Sequence, residues 1–142
     1  MSGRPTSGYH TLPHAADVVV EAWAPTKPAC LAEAVRGLVA VFADTAGIVA
    51  SRSVAFTLGP AGDEELLVRL LEEVIFLVEV DGVVPVGAQV EPTPDGRLRG
   101  RFDLAPVEPA MVIGPVPKAV AWHQLSFAPG QTGWVCRATI DV

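Results

Sequence analysis

Residues 118–142 restrict the fold more than any other stretch. Lys118-Ala-Val-Ala-Trp-His-Gln-Leu-Ser-Phe127 and Trp134-Val-Cys-Arg-Ala-Thr-Ile-Asp-Val142 read as two apolar strands. Between them, Ala128-Pro-Gly-Gln-Thr-Gly133 is rich in residues that supply fixed or positive φ. In the last strand the two-residue period puts Trp134, Cys136, Ala138 and Ile140 on one face, and Val135, Arg137, Thr139 and Asp141 on the other. A strand with one apolar face has to be covered, so other elements must lie against it. Most domains trail off in polar residues. Here the sequence stops on a strand, and Asp141 and the carboxylate of Val142 are expected as adjacent anions at a fixed edge.

The upstream sequence supplies the cover. Residues 1–8 read as a flexible arm. Ala16 to Ala24 is a β-branched run expected as the first strand, followed by the turn Ala24-Pro-Thr-Lys-Pro28. Thr26 is the expected N-cap of a helix, with Pro28 in its first turn. Leu31, Ala34, Val35, Leu38, Val41 and Phe42 recur at helical spacing, and Gly47 is the expected stop. Ser51 to Leu58 alternates as a strand. Asp63 is the expected cap of a second helix running to about Glu79, with Leu66, Leu67, Leu70, Leu71, Val74, Leu77 and Val78 as its apolar stripe. Val83 to Val90 and Arg97 to Leu104 are strands joined through Asp95-Gly96, a hairpin signal, and Ala105 to Pro117 is an extended connection. The predicted fold is α+β: a single domain over 1–142, a largely antiparallel β-sheet with two α-helices on its faces.

Composition narrows the function. The 142 residues carry a formal charge of −6. Neutralising phosphates needs a surplus of Lys and Arg, so direct, tight nucleic-acid binding is not expected. Half the residues are hydrophobic, enough for a packed core. No predominantly apolar run of transmembrane length escapes Pro, Gly or charge, and residues 1–8 lack the apolar segment of a signal peptide. A cytoplasmic protein without a membrane role is expected. Cys30 and Cys136 are isolated and read as small buried hydrophobes in a reducing compartment, with one disulfide as the alternative.

Nucleophile elbows, phosphate loops, dinucleotide fingerprints and Cys-x-x-Cys pairs are absent. His10 and His14 are four apart, but Pro13 between them prevents a helix, which speaks against a zinc pair. Asp17 stands where a loop enters the first strand, a place where Asp commonly caps a turn. If the first and last strands are neighbours, Asp17 faces Asp141, and the two carboxylates with terminal or backbone oxygens form a hard site suited to Ca²⁺ or Mg²⁺ more than zinc. Lys118 reads either as an edge lysine that discourages aggregation or as a cation beside those acids. His123 reads as a half-buried histidine more than a base, and Asp63-Glu-Glu65 as favourable charge at a helix N-terminus.

Four pieces in order, His14-Ala-Ala-Asp17-Val18, Asp63-Glu-Glu-Leu-Leu67, Lys118-Ala-Val-Ala-Trp-His123 and Ile140-Asp141-Val142, make the chain resemble the archease family. Archeases are small acidic accessory proteins of the RtcB-type tRNA-splicing RNA ligase, helping it to be guanylylated from GTP and to turn over repeatedly. The resemblance implies a protein activator and not an enzyme, acting in tRNA splicing or RNA repair. It implies a divalent cation, Ca²⁺ first with Mg²⁺ or Mn²⁺ as alternatives, held by Asp17, Asp141 and an oxygen of Val142, and a part in activation for Lys118. The chain departs from the family pattern at Ala121, where a Thr is common, at Trp122, and in the loop Ala24 to Pro28. Two other readings stay open: a small metal-dependent phosphoester hydrolase using the same acids, and a chaperone-like interaction module.

Overall fold

The computed structural model describes residues 6–14 and 17–142, with only the backbone at residues 13 and 14. The order is β1 (Gly8–His14), β2 (Asp17–Ala24), α1 (Lys27–Phe42), β3 (Arg52–Leu58), α2 (Asp63–Phe76), β4 (Val83–Pro92), β5 (Leu98–Pro106), β6 (Ala119–Pro129) and β7 (Trp134–Asp141). The antiparallel α+β expectation holds. The strands divide into two sheets, β1-β2-β7-β6 and β3-β5-β4, and every pairing is antiparallel. The extra strand is β1, which folds back on β2 from Gly8↔Trp23 to His14↔Asp17. Of the arm expected over 1–8, Gly8 belongs to β1, and residues 1–5 lie outside the described residues.

Local chemistry explains the helices. Thr26 caps α1 as expected: its Oγ1 accepts from the Ala29 N–H at 3.2 Å, and Pro28 occupies the first turn. The helix ends at Phe42, several residues before Gly47, because Ala43 turns extended to form a β-bridge with Val112. Asp63 is the first residue of α2 and Gly62 is its cap, so the three acids from Asp63 to Glu65 lie inside the first turn, where the macrodipole favours them. After Phe76 the helix widens into a π-helical turn, Leu77–Asp81, and Gly82 closes it in the left-handed region at φ 64°.

The core is one cluster shared by both sheets. β5 contributes Leu98, Phe102 and Leu104, β7 contributes Cys136, Ala138 and Ile140, and α1 and α2 fill the space between. The face predicted for the last strand is the one that enters this core. Lys27 joins the two helix starts, with Nζ 2.9 Å from Asp63 and 4.7 Å from the centre of the Trp134 ring.

Candidate functional site

β2 and β7 are central neighbours in the four-stranded sheet, and their register pairs Asp17 directly with Asp141. Directly opposed residues share a face, with Cβ atoms roughly 4.5–5.5 Å apart. On the other side of β7, Ala119 of β6 pairs with Asp141, and the Lys118 N–H donates to the Asp141 carbonyl at 2.8 Å. Three strand ends therefore bring Asp17, Asp141 and Lys118 to one end of one sheet. Asp141 and Lys118 are exposed and Asp17 is half-buried. Val142 follows at once and packs half-buried against the core, which holds its main chain close to the acids.

The face carrying the acids continues inward as Val19 opposite Thr139, then Glu21 opposite Arg137. Arg137 Nη1 lies 3.4 Å from Glu21, and His10 Nε2 reaches the same carboxylate at 3.0 Å, so His10 belongs to a cross-strand cluster. Thr139 was not singled out from the sequence. It is 1 % exposed, and its Oγ1 finds no hydrogen-bond acceptor or donor among the described residues. Asp17 Oδ1, on the same face, is likewise shielded from solvent. A threonine in a β-branched strand is ordinary, and its only sequence signal is the two-residue spacing from Asp141.

β6 is the irregular partner. Between Ala121↔Thr139 and Ser126↔Arg137 it carries three more residues than β7, and Gln124 takes up the excess in the left-handed region at φ 57°. His123 sits on this bulge and is exposed, where it was expected half-buried, because the bulge lifts it off the sheet. Trp122 beside it is 59 % exposed. Side-chain positions in the motif His14-Ala-Ala lie outside the described residues.

A groove of about 430 Å³ lies elsewhere, between α1 and β4, lined by Tyr9, Val35, Arg36, Val39, Val86 and Ile113 among others. None of Asp17, Asp141, Lys118 and His123 lines it. No group of three His, Cys, Asp or Glu side chains gathers among the described residues. Among the described residues, Asp17 and Asp141 stand opposite each other at this end of the sheet, and carboxylate and main-chain oxygens are hard donors of the kind that suits Ca²⁺, Mg²⁺ or Mn²⁺.

Comparison with known proteins agrees with this architecture. The model of the Archease protein family (MTH1598/TM1083) matches residues 9–142. The chain is 38 % identical over 143 aligned positions to the "Probable protein archease" of Mycobacterium tuberculosis, in strains CDC 1551 / Oshkosh and ATCC 25618 / H37Rv, covering 99 % of this chain and 79 % of each relative. The solution structure of Methanobacterium thermoautotrophicum protein 1598 superposes with a TM-score of 0.77 at 18 % identity, over 95 % of this chain and 99 % of that one. The crystal structure of a Thermotoga maritima protein described as an archease, possible chaperone, gives 0.65 at 17 % identity, over 100 % and 98 %. These two show a shared fold. The family match and the mycobacterial identity carry the stronger conclusion: this chain belongs to the archease family.

Proposed function

We propose that the protein is an accessory activator of an RtcB-type RNA ligase, favouring guanylylation of that enzyme by GTP and sustaining repeated rounds of ligation in tRNA splicing or RNA repair. The observation that supports this reading best is the register Asp17↔Asp141 with the Lys118 backbone bonded to Asp141, since it brings the three residues the family resemblance implicates to one end of one sheet. Asp17, Asp141 and an oxygen of Val142 would hold a divalent cation, Ca²⁺ first among hard ions. When bound, the cation supplies a fixed positive charge that offsets the repulsion between the two carboxylates.

The chain's own residues do the rest. The sheet fixes the spacing of the acids, and the Lys118 N–H bond to Asp141 holds the start of β6 against β7. Lys118, exposed at the same end of the sheet, would offer its ammonium to a phosphate or a carboxylate of the partner. Trp122 on the neighbouring bulge offers the large exposed apolar surface typical of an anchor in a protein interface. A net charge of −6 suits a protein that acts on the ligase without competing for its RNA.

The experiment is ligation by the cognate ligase with GTP and RNA ends in excess, with and without this protein. Wild type should raise turnover past a single round. Asp141→Ala and Lys118→Ala should lose that stimulation while keeping the wild-type fold, as both side chains are exposed. Full stimulation by Asp141→Ala would remove the site from the proposal. Stimulation unaffected by chelators would remove the cation.

A further inference from the structure

Two nucleophilic side chains have no part in that reading. Cys30 and Cys136 are 0 % and 1 % exposed, and both are free thiols. They stand 106 positions apart in sequence, one in the first turns of α1 and one in the middle of β7. The fold brings them together. Cys30 Sγ sits 3.6 Å from the carbonyl oxygen of Ala22 and 3.7 Å from that of Trp134. Ala22 is the cross-strand partner of Cys136, whose own Sγ lies 4.0 Å from the Cys30 carbonyl oxygen.

We propose that Cys30 and Cys136 form a redox-modification site, a buried dithiol that hydrogen peroxide converts to an intramolecular disulfide tying the start of α1 to β7. The oxidant is assigned by size. Thiols this deeply buried are closed to bulky disulfides, whereas peroxide is scarcely larger than water and enters when the first turn of α1 opens locally.

Cys30 is the attacking sulfur. The neighbouring Cys136 draws its pKa down, against burial and the nearby Glu33 carboxylate, which push it up. The same pairing, together with burial, pushes Cys136 well above the ordinary thiol range, so it remains the protonated partner. A cysteine in the first turns of a helix is also favoured as thiolate by the macrodipole. The Cys30 thiolate attacks one peroxide oxygen, the O–O bond breaks, and the departing hydroxide takes a proton to leave as water. Cys30 is then a sulfenic acid. The Cys136 sulfur attacks the Cys30 sulfur, the S–O bond breaks, and the hydroxyl leaves with the Cys136 proton as a second water. Two thiols have lost two electrons, and one peroxide has become two waters.

The test uses the full chain. It is treated with hydrogen peroxide, quenched, unfolded, alkylated with iodoacetamide and mapped by mass spectrometry without reductant. The expected product is lighter by two hydrogens, resists alkylation at both cysteines, yields a cross-linked peptide joining Cys30 to Cys136, and melts at a higher temperature than the reduced chain. In Cys136→Ala the reaction should stop at the sulfenic acid of Cys30, trapped by dimedone. Alkylation of both cysteines after peroxide, a disulfide between two chains, or sulfinic acid at Cys30 in wild type would each overturn the proposal. Mapping of the wild type decides the matter even if Cys136→Ala does not fold.

Discussion

Thr139 is where polarity and burial conflict most directly. A buried hydroxyl without a partner costs roughly 1–3 kcal/mol relative to one that is bonded. Replacing it by the apolar isostere, Thr139→Val, should raise stability by about 1 kcal/mol in the absence of divalent cations, read as a higher melting temperature. If its oxygen serves the cation through the neighbouring acids, the same variant should lose part of the shift that Ca²⁺ gives wild type. Equal Ca²⁺ shifts in the two proteins would separate the hydroxyl from the site. A second residue-scale effect is at the β4–β5 turn. The Thr93 hydroxyl donates to Asp95, and Arg97 Nε lies 3.0 Å from the same carboxylate, so the Asp95 pKa falls below its ordinary 3.8. A carboxylate with a lowered folded pKa contributes stability that is present above its unfolded pKa and lost as pH falls through the folded one. An NMR titration should therefore find the Asp95 midpoint below 3.8, and Asp95→Asn should remove that part of the acid dependence of the hairpin.

At the scale of elements, α1 is placed by the absence of a side chain. A Cβ on Gly37 would lie 2.7 Å from Val20 Cγ1 and 3.2 Å from Tyr9 Cβ, so the helix crosses β2 and β1 at closest approach there. Gly37→Ala gains about 1 kcal/mol of helix propensity. It must also push two packed strands apart, which typically costs 1–3 kcal/mol. Net destabilisation by about 1 kcal/mol in urea unfolding is expected, and a stabilised variant would show that the contact yields freely. Thr26→Ala, which removes the side-chain cap of the same helix, should cost about 1 kcal/mol. The second helix departs from its sequence pattern at the π-helical turn. Apolar spacing carries on through Val78, but the extra residue per turn rotates Val80 into solvent, where it is 61 % exposed. Periodicity read at 3.6 residues per turn cannot register that change.

For the whole molecule, the shared core predicts a single cooperative transition. Side chains of both sheets and both helices belong to one buried cluster, so neither sheet has a core of its own. Tryptophan fluorescence, which reports Trp23, Trp122 and Trp134 in the four-stranded sheet, and amide exchange in β5 of the other should lose structure together. Phe102→Ala, at a position 0 % exposed, should lower stability by about 3–5 kcal/mol and destabilise both sheets equally. What the amino-acid order settled was local. Alternation in residues 134–141 fixed which face of β7 is buried, helical spacing fixed the inward faces of α1 and α2, and Thr26 fixed the start of a helix. These follow from two backbone periods and one side-chain hydrogen bond, all within a few residues. The acid pair lay partly within reach, since Asp17 and Asp141 were visible as strand-end carboxylates. Their meeting was not, because register between strands 124 positions apart depends on which neighbours fill the core. The split into two sheets, the bulge at Gln124, the orphan hydroxyl of Thr139 and the contact of Cys30 with Cys136 were decided by tertiary packing alone. Each is a relation between surfaces remote in sequence, and no local periodicity encodes it.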